Sequence, residues 1–276
     1  MMGSSDYYPL VTCAWLESYL DKPDLVILDA SMKPATSKGD APATPAYLPG
    51  SRIFDIKKVF SDLDSGYPNT LPSPAAFEAG CRQLGIRQDS LVVVYDNQGI
   101  YSSPRAWWLF RTMGHGQVFV LDGGLPEWQR LGLPSQAEPS LPQEEGDFVA
   151  IFRSEQVVNF DFVQENVASQ ERLVVDARSS ERFQSLVDEP RPGVRRGNIP
   201  HSINLPFADV LEGGKFKPLP ALREVLLPLV QEDRPIVFSC ASGVTACIVL
   251  LASELVFFGE KAIFDGSWTE WALRVK

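Results

Sequence analysis

Cys240 opens the stretch Cys240-Ala-Ser-Gly-Val-Thr245. An apolar run, residues 235–239, precedes it, and a segment with helical patterning, residues 245–258, follows. A cysteine at a strand end, then a short loop with a glycine, then a helix N-terminus, is an anion-stabilising arrangement. Successive backbone N–H groups turn into the loop, and the helix dipole favours negative charge there. Such a place favours the thiolate, the nucleophilic form of cysteine. A persulfide or a phosphate would be cradled equally well. A lone cysteine is more commonly a small buried apolar residue, so the loop needs a second argument.

Other chemistry-bearing residues are few. The remaining cysteines are Cys13, Cys81 and Cys247, and the histidines are His115 and His201. No CxxC pair exists, so a zinc site is not expected, and nothing points to a cofactor. Four cysteines in 276 residues do not make a disulfide scaffold, and reduced thiols in a cytoplasm are the expectation. Cys247 follows Cys240 by seven residues, about two helical turns, inside an apolar helix. It is expected to pack, though close enough to resolve an oxidised Cys240. Cys13 and Cys81 fall on helical patterns far from the loop in sequence and are expected to pack as well.

The second argument comes from the elements that must position Cys240. The chain contains itself twice. Asp122-Gly-Gly-Leu-Pro-Glu-Trp128 reads against Asp265-Gly-Ser-Trp-Thr-Glu-Trp271, an offset of 143. Asp29 reads against Asp176 (147), Pro49 against Pro200 (151), and the run ending in Asp96 against the run ending in Cys240 (144). Four matches in one order at nearly one offset indicate duplication of a unit of about 125 residues, an ordinary domain size. Within each unit, short apolar runs alternate with helical patterns. Residues 26–29, 91–95, 118–121, 173–176, 235–239 and 262–264 read as strands. Residues 73–84, 104–113, 221–229 and 245–258 read as helices. Strand–helix alternation points to a parallel α/β sheet, which binds ligands beyond the carboxyl ends of its strands. The two units differ in kind at that place, Asp96 in the first and Cys240 in the second, and no core-filling role exchanges Asp for Cys easily. The proline-bearing stretch 133–145 has little apolar surface and reads as an extended linker.

Composition narrows the function classes. Lys plus Arg is 25 and Asp plus Glu is 35, a formal net charge of −10. That disfavours nucleic acid and anionic lipid as partners. Hydrophobic residues make up 45% and charged residues 22%, the balance of a chain with a sizeable core. The longest apolar run, 246–258, is shorter than a membrane span. Residues 1–10 carry no basic n-region or long apolar run, so no secretory signal is expected.

The chain resembles the tandem-domain sulfurtransferases, the family of rhodanese and 3-mercaptopyruvate sulfurtransferase. The resemblance runs from about Val11 to Trp271. It rests on Asp176-Ala-Arg178, on Glu189-Pro-Arg-Pro-Gly-Val-Arg-Arg-Gly-Asn-Ile-Pro200, on the Cys240 loop and on the Asp265 to Trp271 motif. Ser103-Pro-Arg-Ala-Trp-Trp108 and the Asp122 to Trp128 motif add the first unit. It implies an α/β fold of two tandem rhodanese-like domains, each a parallel sheet flanked by helices. Residues 8–134 would be the inactive domain, with Asp96 in place of Cys, 135–150 the linker and 151–276 the catalytic domain.

The resemblance also implies a Cys240 persulfide intermediate, with Ser242 assisting. Loop residues Ala241, Ser242, Gly243, Val244 and Thr245 would hold the sulfur and the substrate. Arg182 and Arg191 would clamp a 2-oxo acid, a task suited to the guanidinium fork. Thiosulfate-preferring members tend to carry two cations after the cysteine, and mercaptopyruvate-preferring members Gly-Ser. Ala241-Ser242 looks like the second group. The implied partners are a small anionic sulfur donor and a thiol acceptor such as thioredoxin or glutathione. Asp176 is expected to be structural, Arg195 and Arg196 to be rim charges, and His201, at a usual glycine position, to take a core or capping role. Some members carry a His in the first-domain loop where this chain has Asn69, which leaves the general acid unassigned. The rival readings are a thiosulfate sulfurtransferase, a sulfur-carrier module that cleaves no small donor, and a phosphatase. The six-residue loop is short for a phosphatase of this fold.

Overall fold

A computed structural model describes residues 9–33 and 45–275. The expected outer boundaries at residues 8 and 276, and most of the 1–10 stretch, lie outside the described residues. In the first unit the order is β1 (Leu10–Val11), α1 (Cys13–Tyr19), β2 (Leu25–Asp29), β3 (Arg52–Ile53), α2 (Pro74–Gln83), β4 (Leu91–Tyr95), α3 (Ser103–Thr112), β5 (Val118–Leu121) and α4 (Gly124–Arg130). The second unit runs β6 (Val157–Val158), α5 (Phe160–Ser169), β7 (Leu173–Asp176), α6 (Ser180–Phe183) and β8 (Ile203–Asn204). It continues with a hairpin of β9 (Leu211–Glu212) and β10 (Lys215–Phe216), then α7 (Leu219–Val225), α8 (Leu227–Val230), β11 (Ile236–Ser239), α9 (Ala246–Glu254), β12 (Lys261–Phe264) and α10 (Ser267–Arg274).

The two main sheets have one topology. Their strand orders are β1-β5-β4-β2-β3 and β6-β12-β11-β7-β8, parallel throughout. Each strand of the first sheet has its counterpart in the second, so the duplication read from the sequence is a duplication of fold. β4 and β11 are central and buried along their whole length, which is why both read as unbroken apolar runs. Asp29 aligns with Tyr95 in one sheet and Asp176 with Ser239 in the other. The strands therefore end together, and Asp96 and Cys240 emerge at equivalent sheet edges.

The inner faces of the two sheets share one core. α3 and α9 pack together in it, and Trp108, Phe110, Ile248 and Leu251 are buried there. α9 is buried from Ala246 to Ser253, so its sequence is apolar on every side. The outer face of each sheet has its own smaller core, around Trp128 in the first unit and Trp268 in the second.

One expectation is corrected. Residues 221–229 are not one helix: α7 and α8 meet at Leu226, because Pro228 cannot continue a helical hydrogen-bond ladder. The linker segment is pinned along the first unit. Gln136 pairs with Tyr47 through two 2.9 Å backbone bonds, and the Gly146 amide donates to the Arg82 carbonyl. Phe148 is fully buried among Phe77, Phe110 and His115. At Gly146 a Cβ would meet the Ile86 carbonyl oxygen at 1.8 Å, so only glycine lets the strap lie this close.

Candidate active site

Cys240 lies at the floor of a cavity of about 260 Å³ between the units. It is 1% exposed. The second unit contributes the Cys240 loop, Arg182 and Arg191, and the first contributes Asn69, Tyr101 and Lys57.

Ser267 sets the loop's shape. Its Oγ accepts from the Cys240 amide (3.2 Å) and the Gly243 amide (3.1 Å) and donates to the Phe264 carbonyl. Ser267 has φ 51°, uncommon for a residue with a Cβ. Its counterpart in the repeat, Gly124, has φ 49°. From the other side the Thr269 hydroxyl donates to the Ala241 carbonyl at 2.6 Å. Gly243 (φ 74°) makes the turn. Its amide is taken by Ser267, and its carbonyl accepts from Arg105 (3.3 Å) and the Cys247 thiol (3.2 Å). Gly243 is thus turned away from the cavity, unlike Ala241, Ser242, Val244 and Thr245, which line it. The expected substrate contact at Gly243 is corrected to a shaping role.

The first unit shows what such a loop holds. One oxygen of the Asp96 carboxylate accepts from the amides of Tyr101, Ser102 and Ser103 at 2.8–2.9 Å and from the Ser103 hydroxyl at 2.7 Å. The other accepts from the Gln98 amide at 2.9 Å. The offset of 144 maps Gln98 and Tyr101 onto Ser242 and Thr245. The amides of Ser242 and Thr245 have no acceptor among the described residues. The first-unit loop is also capped. The tip of the β9–β10 hairpin crosses to it, and a Cβ on Gly99 would lie 2.3 Å from the Gly214 carbonyl oxygen.

A chain of ion pairs holds the arginines. Arg178, fully buried, meets Asp176 at 2.6 Å and Glu189 at 2.7 Å and lies over the Trp268 ring. Asp176 is structural in this sense. Glu189 also pairs with Arg182, so Arg182 reaches the cavity with its charge already shared. Arg191, two residues beyond Glu189, donates to Thr269 Oγ1 and Ser242 Oγ, each at 3.3 Å. No carboxylate lies within ion-pair distance of Arg191 among the described residues. Burial pulls its pKa down, while the nearby Cys240 charge works the other way. Burial, then the charge of Cys240, pushes the Tyr101 phenol up to about 12, so it stays protonated at neutral pH. Arg196 pairs with Asp188 on the surface, and Arg195 lies over Trp268. His201 is exposed, with φ 62°. Of the expected core or capping role, the core alternative is corrected: His201 fills the left-handed turn that a glycine would otherwise take.

Beneath the site, Arg105 of α3 crosses between the units. It is fully buried, meets Asp265 at 2.8 Å, and donates to the Asn69 carbonyl and to the Gly243 carbonyl. Asp265 in turn accepts from the Leu71 amide. Sequence reading did not assign Arg105 a role. Its signal was an arginine inside Ser103-Pro-Arg-Ala-Trp-Trp108, a helix otherwise too apolar for a charge. Cys247, buried behind the loop, has its thiol pushed up to about 12 by burial. Cys13 and Cys81 are buried in helices of the first unit.

Comparison with known proteins agrees with this geometry. The rhodanese-like domain family matches residues 12–131 and again 160–274. The 3-mercaptopyruvate sulfurtransferase of Escherichia coli K12 is 39% identical over 269 residues, covering 94% of this chain and 93% of that protein. An Arabidopsis thaliana thiosulfate/3-mercaptopyruvate sulfurtransferase is 37% identical over 290 residues, covering 96% of this chain and 76% of that protein. The crystal structure of SseA from Escherichia coli superposes with a TM-score of 0.84 at 35% identity, over 94% of this chain and 98% of that one. Two matched domains, one bearing a cysteine loop and the other its carboxylate-filled copy, place the chain among the tandem rhodanese-like sulfurtransferases.

Proposed function

We propose that the protein moves sulfane sulfur from 3-mercaptopyruvate, through a persulfide on Cys240, to a thiol of the thioredoxin or glutathione class or to cyanide, releasing pyruvate. The observation that carries this reading is the pair of loops. In the first unit the amides of Gln98 and Tyr101 hold the two carboxylate oxygens of Asp96, each two bonds beyond Cβ. The outer sulfur of a persulfide on Cys240 also lies two bonds beyond Cβ and also carries negative charge. The matching amides of Ser242 and Thr245 are free to receive it.

The step balances without an outside proton. The Cys240 thiolate attacks the donor sulfur and forms the S–S bond. The C–S bond breaks with its electron pair going to the methylene carbon. The resulting enolate takes up the proton of the donor thiol and becomes pyruvate. Charge develops on the enolate oxygen, where preorganised donors lower the barrier. Arg191 binds the donor carboxylate, since no carboxylate among the described residues pairs with it, and Arg182 supports it from the Glu189 pair.

Thiosulfate is the alternative donor, and the Arabidopsis relative's name includes both. The uncharged Ala241-Ser242 pair favours the mono-anionic oxo acid. Four free, buried cysteines suit a reducing compartment such as the cytoplasm. Kinetics with cyanide as acceptor decide the donor: kcat/KM should be higher for 3-mercaptopyruvate, and a clear thiosulfate preference overturns the assignment. Arg191→Ala should chiefly raise KM for 3-mercaptopyruvate, with a loss of roughly 2–5 kcal/mol at most, and unchanged kinetics would remove Arg191 from the site.

A further inference from the structure

Ser242 Oγ receives two donors. Asn69 Nδ2 reaches it from the first unit at 3.0 Å, and Arg191 Nη2 reaches it from the second at 3.3 Å. A hydroxyl has two lone pairs and one proton. With both lone pairs engaged, the proton is left to be given, and the side still open is the cavity that Ser242 lines.

Asn69 is held for this contact. It has φ 61°, a left-handed conformation that Asn and Asp adopt more readily than other residues with a Cβ. Arg105 donates to its carbonyl, and Asp265 accepts from the amide two residues on, at Leu71. Arg191 contacts this oxygen directly, and the other charged and titratable groups of the cavity are Cys240, Tyr101, Arg182 with Glu189 and Arg178, Lys57 and Lys33. Neither histidine lines the cavity. His115 is buried in the first unit against the Ser90 carbonyl, and His201 is exposed.

We infer that Asn69 is a positioning residue that fixes the polarity of Ser242. By donating to Oγ together with Arg191, it makes Ser242 a one-way hydrogen-bond donor to the oxygen on which enolate charge develops. No imidazole is needed, because the donor thiol supplies the proton that ends on carbon. This inference rests on the sulfur-loading reading above.

The test ranks Asn69→Ala and Asn69→Asp by the single-turnover rate of sulfur loading onto Cys240. Asn69→Ala deletes the donor. Asn69→Asp keeps size and the left-handed fit but presents an acceptor, which draws the Ser242 proton away from the cavity. Polarity predicts that, at saturating donor, Asn69→Asp is slower than Asn69→Ala by at least about tenfold, within the range known for loss of one oxyanion donor. In a Ser242→Ala background the two variants should differ less than about twofold, because the coupling is gone. A purely structural role predicts the reverse order, since Ala tolerates φ near 60° worse than Asp. That order, or an equal gap in both backgrounds, overturns the inference. Wild-type protein that loads only from thiosulfate overturns the mercaptopyruvate reading instead. The variants are then ranked with thiosulfate, whose sulfonate oxygens would meet the same hydroxyl, and the same order decides.

Discussion

Asp96 and Cys240 occupy one position in two copies of a loop, and the difference between them is the chemistry. Asp96 fills its loop with its own charge, and Cys240 leaves its loop ready for an incoming one. Removing Asp96 strands several buried amides, each costing about 1–3 kcal/mol when left unpaired. Asp96→Ala should therefore destabilise the protein by roughly 3–5 kcal/mol in urea unfolding. Cys240→Ala, facing a cavity, should cost less than about 2 kcal/mol. Cys240→Asp should be inactive yet at least as stable as Cys240→Ala, because its carboxylate takes the amides that the persulfide would take. A Cys240→Asp variant clearly less stable than Cys240→Ala would break the equivalence of the loops. At this scale the sequence exposed the odd pair Asp96 and Cys240 and the loop around Cys240. It flagged the motifs that hold Ser267, Thr269 and Arg105 but not that these side chains reach the loop from elsewhere in the chain. Gly243 was misread because sequence cannot say which side of a loop an amide faces.

At the scale of elements, the apolar runs of β4, β7, β11 and α9 were legible because burial on all sides leaves an unbroken apolar signature, whereas α2 buries one face, through Phe77 and Cys81. The two-residue strands were not, since two residues carry no period. The docking of the strap that joins the units was not legible in its composition. Its Pro, Ser, Gln and Glu conceal one decisive apolar residue, Phe148. Phe148→Ala should cost about 3–5 kcal/mol, measured by chemical unfolding, whereas a loose linker would lose almost nothing. Its neighbour His115 adds a pH dependence. Burial pulls the His115 pKa below the ordinary imidazole range. The neutral form therefore contributes stability that is full above the unfolded value of about 6.5 and declines as pH falls through that value toward the folded one. His115→Gln should flatten the stability profile as pH falls below about 6.5. An unchanged profile would assign that slope to other groups.

The whole molecule is two copies of one fold joined face to face, with the reacting centre between them. The repeat was visible from four matched segments, and the second sheet repeats the strand order of the first. The resemblance pointed to Asn69, but sequence did not show that α3 and α9 share a core, or that Tyr101 and Lys57 of the first unit line the Cys240 cavity. Those contacts depend on how two similar bodies dock. A net charge of −10 likewise concealed the cationic residues at one cavity. The duplication thus yields one cysteine-bearing loop and one supporting wall, with Arg105 spanning the two. Intact-mass analysis with peptide mapping, after exposure to 3-mercaptopyruvate and before any acceptor is added, tests this most directly. One added sulfur atom on the Cys240 peptide, none on the other cysteines and pyruvate in the supernatant are expected. An unmodified Cys240, or sulfur carried on Cys247 instead, would contradict the account.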